Sequence, residues 1–332
     1  MKKFLNNVDH MLTESLTGFA TAHADLVEVQ FEPTFVTRKQ KAQSKVAIIS
    51  GGGSGHEPLH AGYVGKGMLD AACPGQVFTS PTPDQMLAAA EAVHADKGVL
   101  FIVKNYAGDV MNFEMAAEML PFDHATIYTS DDCAVVNSTY TTGCRGVAGT
   151  VIVEKCVGSL AETGADLEAC KALGEKINLR TSSIGAALTS CTVPAAGRPT
   201  FDISDSEIEM GVGIHGEPGR RREAMREADA IVQDMVAAIV HDIEAKQLPL
   251  SGDILLLVNG LGATPLMELY LIYNTAARLL EEKGFTVARS LVGNYITAID
   301  MAGASITVCM LDDEIRQHWD SPVHTAGLRW GV

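Results

Sequence analysis

An α/β protein of two lobes, each a central β-sheet flanked by helices, is predicted by three observations. Apolar runs of strand length alternate with helical periodicities along the whole chain. Two of those strands end in polar loops that contain glycine. The 332 residues also exceed the size at which one hydrophobic core stops growing, about 250–300 residues.

Phe4, Leu5, Val8, Leu12 and Leu16 fall at helical spacing and predict an amphipathic helix over 2–23. After the polar stretch 37–45, Val46–Ile49 reads as a buried strand running straight into the glycine-rich segment 51–58. A helix over 84–95 precedes a continuous apolar strand over 98–103, which ends at Lys104-Asn-Tyr-Ala-Gly-Asp109. A strand over 125–132, a helix region over 147–164 and a helix over 166–181 complete the first series. In such sheets ligands gather at the carboxyl ends of strands, which brings 51–58 and 104–109 together. The segment 182–201 is rich in small residues with two prolines and two glycines, and divides the chain into lobes 1–185 and 186–332. The second lobe carries a glycine-rich loop over 209–219, a helix over 221–246, a strand over 253–262, a helix over 264–284 and two further strands, 285–293 and 304–311.

A net charge of −16 argues against coating nucleic acid, which needs clustered Lys and Arg. The one dense basic run, Arg220-Arg221-Arg222, is followed at once by Glu223 and Glu227. Seven cysteines without a CxxC pair signal neither a disulfide framework nor a zinc site. The N-terminus lacks the apolar core of a secretory signal, and no run of about 18 apolar residues is long enough to span a membrane. A cytoplasmic protein is the expectation.

Three segments can carry chemistry. Gly51–Pro58 resembles a phosphate loop, but His56 stands where the lysine of GxxxxGK would be, and the GxGxxG spacing also fails. Lys104 and Asp109 put a cation and a carboxylate at a strand end, suited to orienting hydroxyls and taking a proton, or equally to a surface ion pair. His215 lies among four glycines and a proline in Gly211–Gly219, where an imidazole can act as base, ligand or nucleophile toward a carbonyl. His56, Asp109 and His215 also form a conceivable metal set, the basis of an alternative reading as a metal hydrolase. His60 is near enough to His56 to share its pocket, whereas His10, His23, His94, His241 and His318 read as solvated side chains.

Taken together, SGGGSGHEP, CPGQVFTSPTPDQM, VKNYAGDVMNFE, TVPAAGRPTF, EMGVGIHGEPG, NGLGATPLMELY and DSPVHTAGLRWG resemble the dihydroxyacetone kinase family, specifically its ketone-binding subunit, over the whole chain. The resemblance implies that His215 adds through Nε2 to a ketone carbonyl to give a hemiaminal. It implies that Gly53, Ser54, Gly55, His56, Lys104 and Asp109 bind the substrate, with Asp109 and His56 as the acid/base pair. No metal or cofactor is expected in this chain. ATP-dependent relatives are about twice as long and carry their own nucleotide domain. This chain therefore resembles the phosphotransferase-system type, in which a partner subunit holding ADP and magnesium donates the phosphoryl group and is recharged from phosphoenolpyruvate through a phosphocarrier. A homodimer is implied, with no nucleic-acid or membrane partner. The competing expectations are a dihydroxyacetone-binding transcriptional coactivator and a kinase for another short ketone or aldehyde.

Overall fold

The computed structural model describes residues 2–135, 142–217 and 219–332. Its elements in order are α1 (Met11–Ala22), β1 (Val27–Phe31), β2 (Thr34–Arg38), β3 (Ala47–Ser54), β4 (Ala71–Val77), α2 (Pro83–Val93), β5 (Val99–Lys104), α3 (Ala107–Met119), β6 (His124–Thr129), α4 (Gly149–Glu162), α5 (Leu167–Leu179) and β7 (Thr181–Ala187). There follow β8 (Glu207–Met210), β9 (Arg221–Ala224), α6 (Ala228–Ala245), β10 (Gly252–Gly260), α7 (Leu266–Glu282), β11 (Phe285–Gly293), β12 (Gly303–Met310), α8 (Asp313–Asp320), β13 (Val323–His324) and β14 (Arg329–Trp330).

Two six-stranded sheets form the frame, with orders β1-β2-β4-β3-β5-β6 and β11-β10-β12-β7-β8-β9. In the first, β4, β3, β5 and β6 run parallel and the β1–β2 hairpin closes one edge. The second is antiparallel except for the β10–β11 pair. This is the two-sheet α/β architecture that the sequence predicts, and the division expected at 185 falls inside β7, a strand of the second sheet.

Strand alternation sorts the cores. Ile48, Leu100 and Ile102 face one way, toward α4 and α5, while Ala47, Ile49, Phe101 and Val103 face Met86, Ala89 and Phe113 of α2 and α3. In β10, Leu255 and Leu257 join the same central core as Ile48, whereas Ile254, Leu256 and Val258 pack with Ile239 and Leu280 of α6 and α7. The layers are thus helices, sheet, helices, sheet, helices, and α4 in the middle is buried along nearly its whole length. Fully buried strands read as continuous apolar runs, which is why β5 is so plain in the sequence.

Three local expectations differ from the structure. Residues 2–7 are not helical: Asn7 accepts from the Asp9 amide, a single tight turn follows at Val8–His10, and α1 begins at Met11. The helix expected from 221 starts at Ala228, because Arg221–Ala224 pairs with β8 as an edge strand, and Arg221 of the strand and Arg226 just after it both reach Glu223 and Asp234. His318 is buried rather than solvated, its ring 3.1 Å from Ser159 Oγ, since α8 packs on α4.

Candidate active site

The glycine-rich segment is strand before it is loop. Gly51 sits between Cys73 of β4 and Val103 of β5, and a Cβ there would lie 2.7 Å from the Cys73 carbonyl. Glycine is what allows three strands to close at this point. At Gly53 a Cβ would lie 2.6 Å from the Thr79 amide, so the backbone at 78–79 rests directly on it. Two non-glycine residues with left-handed backbone, Phe78 (φ 56) and Ile299 (φ 57), brace the turn: Phe78 N donates to Ser54 O and Ile299 N to Gly55 O. Strain of this kind persists only where surroundings impose it, and it concentrates at functional sites.

Because β3 and β5 are neighbours, their carboxyl ends coincide as expected. Lys104 ends β5 fully buried, with Nζ 3.4 Å from Asp109 Oδ2, 3.4 Å from Gly51 O and 3.0 Å from His60 Nε2. Gly52 leaves room for this ammonium, which a Cβ would strike. Asp109 lies in the first turn of α3, and its Oδ1 is buried without a partner.

His215 arrives from the second sheet on the loop between β8 and β9. Gly211 (φ +77) and Gly216 (φ +74) turn that loop, and Gly211 N is tied to Gly185 O at 2.6 Å. The Glu217 side chain folds back on it, accepting from His215 N at 3.0 Å and from Nδ1 at 2.8 Å. Gly213 is required beside it, since a Cβ would run into the Glu217 carboxyl. Burial alone would raise the Glu217 pKa, but His215 and Arg145 outweigh it and hold the carboxyl down to about 2. Arg145 is itself fully buried, bonded to Asp132 and to Gly211 O. A carboxylate only accepts, so in the neutral ring the His215 proton belongs on Nδ1 and Nε2 keeps its lone pair.

His56 is set the same way. Its Nδ1 donates to Thr297 O at 2.7 Å, its ring stacks on Phe78 at 5.0 Å and meets the His215 ring edge at 4.7 Å, and Nε2 is buried without a partner. Burial, then the neighbouring His215 and Lys104, push its pKa well below the usual imidazole range, so the ring is neutral. Tyr106 packs edge-on against His215 at 4.6 Å. An open cavity of about 990 Å³ is lined by Gly53, Phe78, Tyr106, Asp109, His215 and Glu217, among others.

Of the residues picked out in the sequence, Gly53, Asp109 and His215 line this cavity, while His56 and Lys104 stand directly behind its wall. Ser54 and Gly55 do not line it and are otherwise engaged: the Ser54 hydroxyl donates to Gly75 O at 2.7 Å and the Gly55 amide to the Glu57 carboxylate at 3.0 Å. Among the described residues no group of three or more His, Cys, Asp and Glu side chains is placed to hold a metal. Sequence reasoning placed His60 beside His56, and the structure puts it against Lys104; the same reasoning missed Glu217, Arg145, Thr297 and Glu154 as parts of the site. Glu217 lay inside a quoted motif, and Glu154 stands out as a carboxylate within the apolar helix 149–162.

If His215 adds to a carbonyl carbon, as the resemblance implies, Glu217→Gln is expected to weaken that addition about tenfold, because a carboxylate facing an imidazole that becomes cationic contributes about 1–2 kcal/mol. Titration with ketone, followed by intact-protein mass, measures it. The same carboxyl gives a pH signature. Its pKa is lowered from 4.5 to about 2, so its stabilising effect is present above pH 4.5 and is lost as pH falls toward 2. The melting temperatures of wild type and Glu217→Gln should therefore converge through that window.

Fold and site together define a two-sheet α/β protein that turns an imidazole lone pair and a buried carboxylate toward one cavity. By sequence, residues 17–327 match the Dak1 domain, and the chain belongs to that family. Over their whole lengths it is 47% identical to the dihydroxyacetone-binding subunit DhaK of the PEP-dependent dihydroxyacetone kinase of Escherichia coli K12. It is 49% identical, over 95% of each chain, to the DhaK subunit of PTS-dependent dihydroxyacetone kinase 1 of Listeria innocua serovar 6a. Among solved structures, the dihydroxyacetone kinase operon co-activator Dha-DhaQ superposes with a TM-score of 0.88 at 34% identity, over 95% of this chain and 96% of that one.

Proposed function

We propose that this chain is the dihydroxyacetone-binding subunit of a phosphoenolpyruvate-dependent dihydroxyacetone kinase, a cytoplasmic homodimer that presents a captured ketone to a phosphoryl-donating partner. The observation that carries the reading is His215 Nε2, which has no hydrogen-bond partner among the described residues, in the same cavity as Asp109. In the capture step the Nε2 lone pair forms a bond to the ketone carbon, the C=O π bond breaks, and the oxygen takes a proton from solvent to give the hemiaminal hydroxyl. The ring becomes an imidazolium whose Nδ1–H already faces the Glu217 carboxylate. Covalent capture selects carbonyl compounds over glycerol, which hydrogen bonds alone separate poorly.

In the transfer step Asp109 takes the proton of a terminal hydroxyl as its oxygen bonds to phosphorus. The bond from phosphorus to the ADP of the donor subunit breaks and ADP stays on that subunit, while Lys104 balances the carboxylate and His56 lies near Lys104 and His215. The phosphoryl group comes from a subunit that carries ADP and magnesium and is recharged through a phosphocarrier. Two features support an external donor: the whole-length match to a subunit named as PEP-dependent, and the glycine segment itself. There the Gly55 amide already serves Glu57, and a carboxylate at that turn repels phosphate.

The co-activator reading has its own support in the Dha-DhaQ likeness. It explains His215, but not a buried Asp109 with one oxygen left free. The deciding experiment supplies dihydroxyacetone with ATP alone, then with the ADP-carrying subunit, the phosphocarrier components and phosphoenolpyruvate. Dihydroxyacetone phosphate is expected only from the second mixture. Activity with ATP alone would overturn the external donor, and ketone binding with silence in both mixtures would favour the co-activator.

A further inference from the structure

Lys104 is 0% exposed, and a buried ammonium needs compensation. Its shortest contact is not Asp109 at 3.4 Å but His60 Nε2 at 3.0 Å. An imidazole nitrogen accepts from an ammonium only through a free lone pair, so the His60 proton must sit on Nδ1. Both neighbours of Nδ1 are able to receive it. Glu154 Oε1 lies at 2.6 Å, and Ser50 Oγ lies at 2.9 Å with its own proton committed to Ile102 O at 2.6 Å.

We propose that His60 and Glu154 are positioning residues for phosphoryl transfer: Glu154 fixes the His60 tautomer, and His60 holds the Lys104 ammonium where it serves Asp109. The proposal rests on the reading of Asp109 as the proton acceptor. A chain Glu154, His60, Lys104, Asp109 then runs from the central helix α4 to the cavity, through contacts of 2.6, 3.0 and 3.4 Å. Packing does not require Glu154. It interrupts the apolar stretch Val151-Ile-Val, is fully buried, and leaves Oε2 without a partner, an arrangement that costs stability wherever it occurs. Although the His60–Glu154 contact has ion-pair geometry, burial and Lys104 drive the imidazole to its neutral form. Burial raises the Glu154 carboxyl to about 8, against the pull of the Lys104 ammonium. The moment that needs this pair is the one after Asp109 takes the substrate proton. Its carboxylate is then neutral, and without another acceptor the Lys104 ammonium would lose its place.

Two measurements on the full chain test it. In wild type carrying ¹⁵N-labelled histidine, with His60→Gln used to assign the signal, His60 should show the neutral Nδ1–H tautomer. The Nε2–H tautomer or an imidazolium would overturn the proposal, whether or not the chain turns over. In the reconstituted assay, His60→Leu and Glu154→Gln should capture ketone within about threefold of wild type but turn over about tenfold more slowly, the scale of supporting partners one contact removed. His60→Gln places an acceptor near the position of Nε2 and should recover turnover to within about threefold. Equal turnover in wild type, His60→Leu and Glu154→Gln would overturn the proposal, as would a His60→Gln as slow as His60→Leu. Failure of the wild type itself in that assay would instead strike the kinase reading, leaving the tautomer as the test of the pair.

Discussion

His215→Ala is expected to abolish the covalent ketone adduct altogether while leaving the fold intact. The side chain is only partly buried, the loop is held by the Gly211–Gly185 backbone bond and by Arg145, and neither depends on the imidazole. What disappears is a ring nitrogen that, alone among the described residues, has both an unengaged lone pair and a place on the cavity wall. His56 cannot substitute, although its Nε2 is also unengaged, because its ring is fully buried behind Phe78 and His215. Intact-protein mass under near-neutral, non-reducing conditions, or a ketone-soaked crystal, measures the outcome. An undiminished adduct in His215→Ala would remove the assignment.

Asp109→Asn is expected to leave capture nearly unchanged and to lower turnover by roughly 10²–10⁴, the range for loss of a positioned general base. Asparagine preserves size and most hydrogen bonding but cannot take the proton. It also leaves the buried Lys104 with one fewer counterion, so some loss of thermal stability should accompany the loss of rate. Turnover near that of wild type would pass the base role to His56, whose neutral ring and free Nε2 are suited to it.

How much of this was legible depended on whether one segment carried the signal. The strand β5 declares itself because both of its faces are buried, and the turn residues of 211–219 declare a loop because glycine has no other use at that density. The β1–β2 hairpin was missed, since each strand is only five residues long and interleaves its apolar residues with Glu, Gln, Thr and Arg, and the burial of Thr37 and Arg38 is set by distant packing. The edge strand β9 was misread as helix because Arg and Glu are good helix formers, and the pairing with β8 that overrides them is not local. The same distinction divides the site. His56, Lys104, Asp109 and His215 sit in motifs, whereas the Thr297 carbonyl that sets the His56 tautomer lies 241 positions away in sequence, and Glu154 is 94 positions from His60. The His56 and His60 tautomers are fixed by such distant acceptors, so the direction of those two lone pairs becomes readable only in three dimensions, whereas Glu217 stands two residues from His215.

The ketone held on His215 should itself be the molecule that receives the phosphoryl group. Load the chain with dihydroxyacetone labelled with ¹³C at the carbonyl, remove free ketone, and add the phosphoryl-charged donor subunit in a single turnover followed by ¹³C spectroscopy. The hemiaminal signal should decay at the rate at which labelled dihydroxyacetone phosphate forms, undiluted by an excess of unlabelled ketone added with the donor. A product drawn from the unlabelled pool while the hemiaminal signal persists would contradict the account.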